Sequence, residues 1–184
     1  MGGLIGMILA IQPNQPVAIN KLVLSDIGPL IPAVALRRIA DYVGKDPRFE
    51  SFEEFKQYMK AISISFGPLS EAQWNHMAIH TVREYPDGTY GFRYDPRIAV
   101  SFQEHEITDI DLWAQWDQLK VPTLVLRGTE SDILSAETAT QMQLRGAKAQ
   151  VVELPGIGHA PMLMDDHQIK IVRDFILGER NNLS

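Results

Sequence analysis

The chain has 184 residues, 45% of them apolar and 22% charged, which suits one globular core with or without an inserted sub-domain and excludes a disordered tail. A formal net charge of -6 and a pI near 5.3 argue against a nucleic-acid backbone as partner, and no basic run marks the chain for an anionic membrane. The absence of cysteine removes disulfides, thiolate metal sites and a cysteine nucleophile together, and it suits a cytoplasmic location.

Met1 to Ile11 is apolar, but it lacks a basic leader, and Gly2, Gly3 and Gly6 interrupt the pattern of a signal peptide. No apolar stretch reaches the roughly 20 residues of a membrane span. Leu4 to Ala10 is apolar nearly all round, as in a helix covered on both sides, and Pro13-Asn14-Gln15-Pro16 stops it. Lys21 to Asp26 is a short β-branched run closed by Gly28-Pro29, the pattern of a buried strand.

From Ile31 to about Trp116 amphipathic helical patterns take over, at Ile31 to Val43, Phe52 to Ile62 and Ser70 to Arg83. Ser70 followed by Gln73 fits a capping box. Tyr85-Pro86-Asp87-Gly88-Thr89-Tyr90 places a turn between two alternating arms and predicts a small hairpin. Asp109 to Leu119 then reads as a helix with Trp113 and Trp116 on one face. The α/β rhythm resumes with a strand at Pro122 to Leu126, a helix at Ala136 to Arg145, a strand at Gln150 to Leu154 and a helix at Ile169 to Leu177 stopped by Gly178. This order predicts an α/β protein: a partial parallel sheet, with residues 1–30 and 117–184 forming the core and 31–116 an inserted helical unit.

Ligand sites in open parallel sheets lie at the carboxyl ends of the strands. One strand runs into Arg127-Gly128-Thr129-Glu130-Ser131-Asp132 and the next into Pro155-Gly156-Ile157-Gly158-His159, so Asp132 and His159 face one crevice. A carboxylate that accepts the imidazole N–H fixes its tautomer and leaves the other nitrogen to take a proton from a hydroxyl. An isolated Asp or His is usually a turn cap or a surface group. The order, the strand ends and the glycine-marked loops together favour catalysis. Asp26, which also ends a strand, is the alternative acid, while Glu130 is better explained as a solvated loop residue.

With these residues in place, VPTLVLRGTESDIL resembles the strand-and-acid segment of the α/β-hydrolase family, and LPGIGHAPML resembles its histidine loop. MGGLIGMILA is similar to the stretch just after the nucleophile in that family's elbow, KLVLSDIGP resembles its next core strand, and the helical insertion falls where the family carries a cap. The resemblance covers nearly the whole chain but only the C-terminal portion of a full-length member. It implies Asp132 as the triad acid, His159 as the general base, and Met1 as the residue after the nucleophile, lending its backbone N–H to an oxyanion. The serine would precede Met1 and is not in this chain, so the chain alone is expected to be nearly inactive. The intact enzyme would hydrolyse a small ester or related carboxylic derivative with neither metal nor organic cofactor. An Asp nucleophile would change the reaction class; the Met-Gly-Gly opening resembles the serine members.

Phe66, Trp74 and Met162 are candidates for the wall of a substrate pocket, although packing explains each equally well, as it does Leu163. His76 and His80 share a helix face but lack the Glu and third ligand of a metal site, so no metal is expected. His105 and His167 read as surface residues. Two other classes remain. Gly3 and Gly6 with Asp26 about twenty residues on partly match a dinucleotide fingerprint, but Met1 stands at its first glycine and no strand comes before it. A non-catalytic interaction module would instead use the strand at Leu22 to Asp26 as an exposed edge, inviting a homo-oligomer.

Overall fold

The computed structural model describes residues 1–14 and 16–178; Gln15 of the expected helix stop lies outside them. The elements in chain order are α1 (Gly2–Ile11), β1 (Leu22–Ser25), β2 (Leu30–Ile31), α2 (Ala33–Ala40), α3 (Phe52–Ile62), α4 (Glu71–Thr81), β3 (Val82–Glu84) and β4 (Tyr90–Phe92). They continue as α5 (Val100–Gln103), β5 (Ile110–Asp111), α6 (Trp113–Trp116), β6 (Thr123–Gly128), α7 (Ala136–Leu144), β7 (Gln150–Leu154) and α8 (Asp166–Leu177). The chain divides into two compact units, Met1–Pro32 with Asp109–Ser184, and Ala33–Thr108.

The second crossing point falls eight residues before the expected 116/117 boundary. Its cause is local. Leu30 and Ile31 pair antiparallel with Asp111 and Ile110, so the return strand belongs to the sheet-bearing unit. The helix expected over Asp109 to Leu119 shortens accordingly: Ile110–Asp111 is extended, and the Asp111 carboxylate accepts the Trp113 N–H at 2.9 Å to start the next turn. Trp116 is fully buried and donates its indole N–H to the Arg145 carbonyl at 3.0 Å.

In the first unit β6 is the central strand of a parallel sheet ordered β1-β6-β7, and all six of its residues are buried, as expected of an apolar run covered on both faces. Register is set by Leu22 against Thr123 and Leu124 against Gln150. Leu124, Leu126, Leu154, Ile157 and Ile171 form the core on one side, with Val23, Val152 and Phe175 packed on them. Helix α1 lies close on β1 and the turn after it: a Cβ at Gly3 would fall 3.3 Å from Leu24 Cδ2 and 2.4 Å from Ile27 Cγ2.

Helix α8 carries a carboxylate in an unusual place. The Asp174 side chain is only 2% exposed and pairs with Lys170 and Arg173. The Lys170 ammonium first, with Arg173 adding to it, holds Asp174 below the usual carboxylate range against the burial that pushes it up. A lowered folded pKa adds stability at pH above the ordinary carboxylate value, about 4, and that stability is lost as pH falls through the lowered value. Asp174→Asn is therefore expected to flatten the fall of Tm with pH below about 4. A melting series equally steep in both proteins would contradict this.

The second unit is held by aromatic packing. Phe55, Met59, Trp74 and Ala78 are buried, with Phe49, Phe52, Phe66, Leu69, Tyr90 and Phe92 against them. Ser51 caps α3, and Ser70 with Gln73 forms the expected capping box on α4. The hairpin expected around Pro86-Asp87-Gly88 is present as the antiparallel pair β3–β4. Among the described residues, no helix is long and apolar enough to cross a membrane.

Candidate active site

The site begins where β1 ends. Parallel register sets Ser25 beside Leu126, so the next residue, Asp26, emerges at the carboxyl edge of the sheet. Asp26 sits at φ +52°, a region a non-glycine residue seldom occupies, and its N–H donates to the Leu126 carbonyl at 2.7 Å. Its side chain is completely buried. A buried carboxylate needs donors, and Asp26 has them: Oδ1 accepts the Gly128 N–H at 2.9 Å and Oδ2 accepts the Ser131 hydroxyl at 2.5 Å.

The loop after β7 then closes on the loop after β6. Thr129 N–H donates to the Leu154 carbonyl at 3.0 Å and Glu130 N–H to the Ile157 carbonyl at 2.9 Å. Their approach requires glycine at 128. A Cβ there would lie 2.2 Å from the Ile157 oxygen and 2.7 Å from the Gly158 oxygen, both of them backbone atoms. This contact carries His159 onto Asp26. The imidazole Nδ1 lies 2.9 Å from Asp26 Oδ2 and 3.1 Å from the Asp26 carbonyl oxygen, with 28% of the His159 side chain exposed. When Nδ1 carries the proton and donates it to the carboxylate, Nε2 bears the lone pair that can accept one.

The structure thus brings His159 and Asp26 together. Asp132, first choice from the sequence, is exposed on the loop after β6, immediately after the Ser131 that donates to Asp26. Glu130 is exposed on the same loop. Met1 is exposed at the start of α1, the end of that helix which Gly3 presses against Ile27. Met162 is half-buried three residues beyond His159. Trp74 and Phe66 belong to the aromatic core of the second unit. His76 and His80 are exposed with ring centroids 4.4 Å apart, and His105 and His167 are exposed. No metal-holding group of three or more His, Cys, Asp or Glu occurs among the described residues. The dinucleotide alternative needs the Asp26 carboxylate for a ribose; burial and its three donors occupy it otherwise.

Two contributors escaped the sequence. Arg127, its side chain 8% exposed, donates to the Leu134 carbonyl at 2.9 Å and to Glu153 at 2.7 Å, tying down the loop that carries Ser131. Ser131 itself accepts the N–H groups of Ile133 and Leu134 at 3.1 and 3.0 Å. A serine that closes a turn on the next two or three residues is a local signal. Where its proton points is not.

A parallel sheet with a histidine loop closed over its carboxyl edge is the architecture of the α/β-hydrolases, and the chain has that fold. It is 41% identical over 186 residues to a 3-hydroxybutyrate-oligomer hydrolase of Cupriavidus necator, a match covering 97% of this chain and 63% of that protein. Among solved structures, a Rickettsia typhi protein described as a hydrolase superposes with a TM-score of 0.86 at 31% identity, covering 98% of this chain and 60% of that one. An α/β-hydrolase from Novosphingobium aromaticivorans gives a TM-score of 0.81 at 34% identity, covering 95% and 62%. The chain therefore spans a little under two thirds of the length of these relatives. No family profile matches it.

Proposed function

We propose that this chain is the acid-and-base portion of a serine-type ester hydrolase, with short hydroxyalkanoate oligoesters as its substrate class. The observation that carries the chemistry is the 2.9 Å contact between His159 Nδ1 and a fully buried carboxylate. The substrate class follows from the 41% identity to an enzyme named for hydrolysing 3-hydroxybutyrate oligomers.

Asp26 holds the Nδ1 proton and stabilises the imidazolium that forms during turnover; Nε2 removes the proton of the attacking serine hydroxyl. The serine oxygen bonds the acyl carbon, the ester C–O bond breaks, and the alcohol leaves with the proton from Nε2. Water then repeats the sequence on the acyl-serine, releasing acid and restoring the hydroxyl. The nucleophile is a serine outside these 184 residues, the backbone N–H of Met1 serves the oxyanion, and the unit Ala33–Thr108 is the cap.

A second assignment of the acid also has an observation behind it. Asp132 adjoins Ser131, whose hydroxyl shares Asp26 Oδ2 with His159, so Asp132 is a neighbour of the pair. Asn substitutions separate the two roles when the chain is joined to the segment of the Cupriavidus enzyme that the match leaves uncovered. The joined protein is expected to hydrolyse 3-hydroxybutyrate dimers and the 184-residue chain alone to stay at background. Asp26→Asn should lower kcat by about 10⁴, the loss expected when an orienting carboxylate is neutralised, and Asp132→Asn by much less. The reverse order would transfer the acid to Asp132. Turnover by the chain alone, insensitive to His159→Ala, would sink the proposal.

A further inference from the structure

We propose that Ser131 is a positioning residue which acts through Asp26 to keep the His159 imidazole in register. This rests on the Asp26–His159 pair proposed above. A hydroxyl has one proton and two lone pairs. The Ser131 oxygen accepts from Ile133 N–H and Leu134 N–H, so both lone pairs are occupied and its single proton is left for Asp26 Oδ2, 2.5 Å away.

The consequence is mechanical. An aspartate carboxylate is a broad, roughly two-fold rotor about its last torsion. Here Gly128 N–H holds one oxygen and the Ser131 hydroxyl holds the other, which pins the plane of the group. The pinned oxygen, Oδ2, is the one that meets His159 Nδ1. Nδ1 also has the Asp26 carbonyl oxygen within reach at 3.1 Å. Once the carboxylate is released, the N–H shifts toward that neutral acceptor, and the ring rotates with it. Ser131 thus selects the charged acceptor over the neutral one.

The test uses the 184-residue chain itself and needs no catalysis. The His159 ring N–H gives a low-field proton resonance, assigned by its loss in His159→Gln. Its exchange with water reports how firmly the carboxylate holds it. Ser131→Ala is expected to accelerate that exchange about tenfold or more, the equivalent of one lost charge-assisted hydrogen bond. Ser131→Thr, which keeps the hydroxyl, should restore the wild-type rate, whereas a role limited to loop stability would show as a lower Tm with the exchange unchanged. In an Asp26→Asn background, Ser131→Ala should add nothing further, because the two act in series. An exchange rate within twofold of wild type in Ser131→Ala, or an additive effect in the double variant, overturns the role of Ser131. A resonance insensitive to Asp26→Asn instead overturns the pair itself, so the two failures are distinguishable.

Discussion

Replacing His159 with alanine in the joined, active protein is expected to lower kcat by about 10⁶ with little change in Tm. The size follows from the cooperative behaviour of a nucleophile and its base, where loss of one group removes nearly the whole contribution of the set. Stability should be spared because the ring is partly exposed, and the backbone bonds that hold the two loops together, Thr129 to Leu154 and Glu130 to Ile157, do not involve it. The Asp26 carboxylate keeps its Gly128 and Ser131 donors when the imidazole is gone. Steady-state kinetics on a 3-hydroxybutyrate dimer, with a thermal melt of the same preparation, measures both. A loss of less than tenfold would remove His159 from the chemistry.

The other large effect is expected at a residue with no functional group. Gly128→Ala should destabilise the chain by about 1–3 kcal/mol, the usual cost of overpacking, and should reduce turnover by at least about 100-fold. The added methyl would meet the Ile157 and Gly158 oxygens at 2.2 and 2.7 Å, and neither backbone atom can rotate aside as a side-chain tip would. The histidine loop has to move, and a displacement near 1 Å is enough to break a 2.9 Å contact between Nδ1 and Oδ2. Gly156→Ala in the same loop is the control. It strains a φ of +69° but meets nothing within 4 Å, so it should cost stability without separating the pair. Equal losses of turnover in the two variants would show that the close approach at Gly128 is not what aligns the site.

Much of the fold was legible because its signals are local. The unbroken apolar run through Leu124 and Val125 announced a covered strand, and Ser70 with Gln73 marked the start of α4. Gly178 ends α8 where the sequence places the helix stop, and its φ of +77° makes it a left-handed cap. Where local pattern failed, a distant partner had intervened. Ile110 and Asp111 are helical by periodicity alone, but Leu30 and Ile31, about eighty residues earlier, draw them into a strand. Trp74 and Phe66, equally plausible as pocket walls or as packing, lie in an aromatic core whose other members come from four separate elements and loops.

By itself, the sequence determined that a histidine and two candidate carboxylates stand at strand ends of a parallel α/β sheet, because strand periodicity and glycine-marked turns are written in neighbouring residues. It ranked Asp132 ahead of Asp26 as the partner of the imidazole, on chain order, strand ends and resemblance, none of which carries a distance. The tertiary structure sets Asp26 Oδ2 2.9 Å from His159 Nδ1. That contact depends on the register of β1 against β6 and on a missing side chain at Gly128, and these join residues 102 positions apart from 26 to 128 and 133 apart from 26 to 159. A hydrogen bond is made or lost within about half an ångström, and only the assembled sheet sets distances that finely.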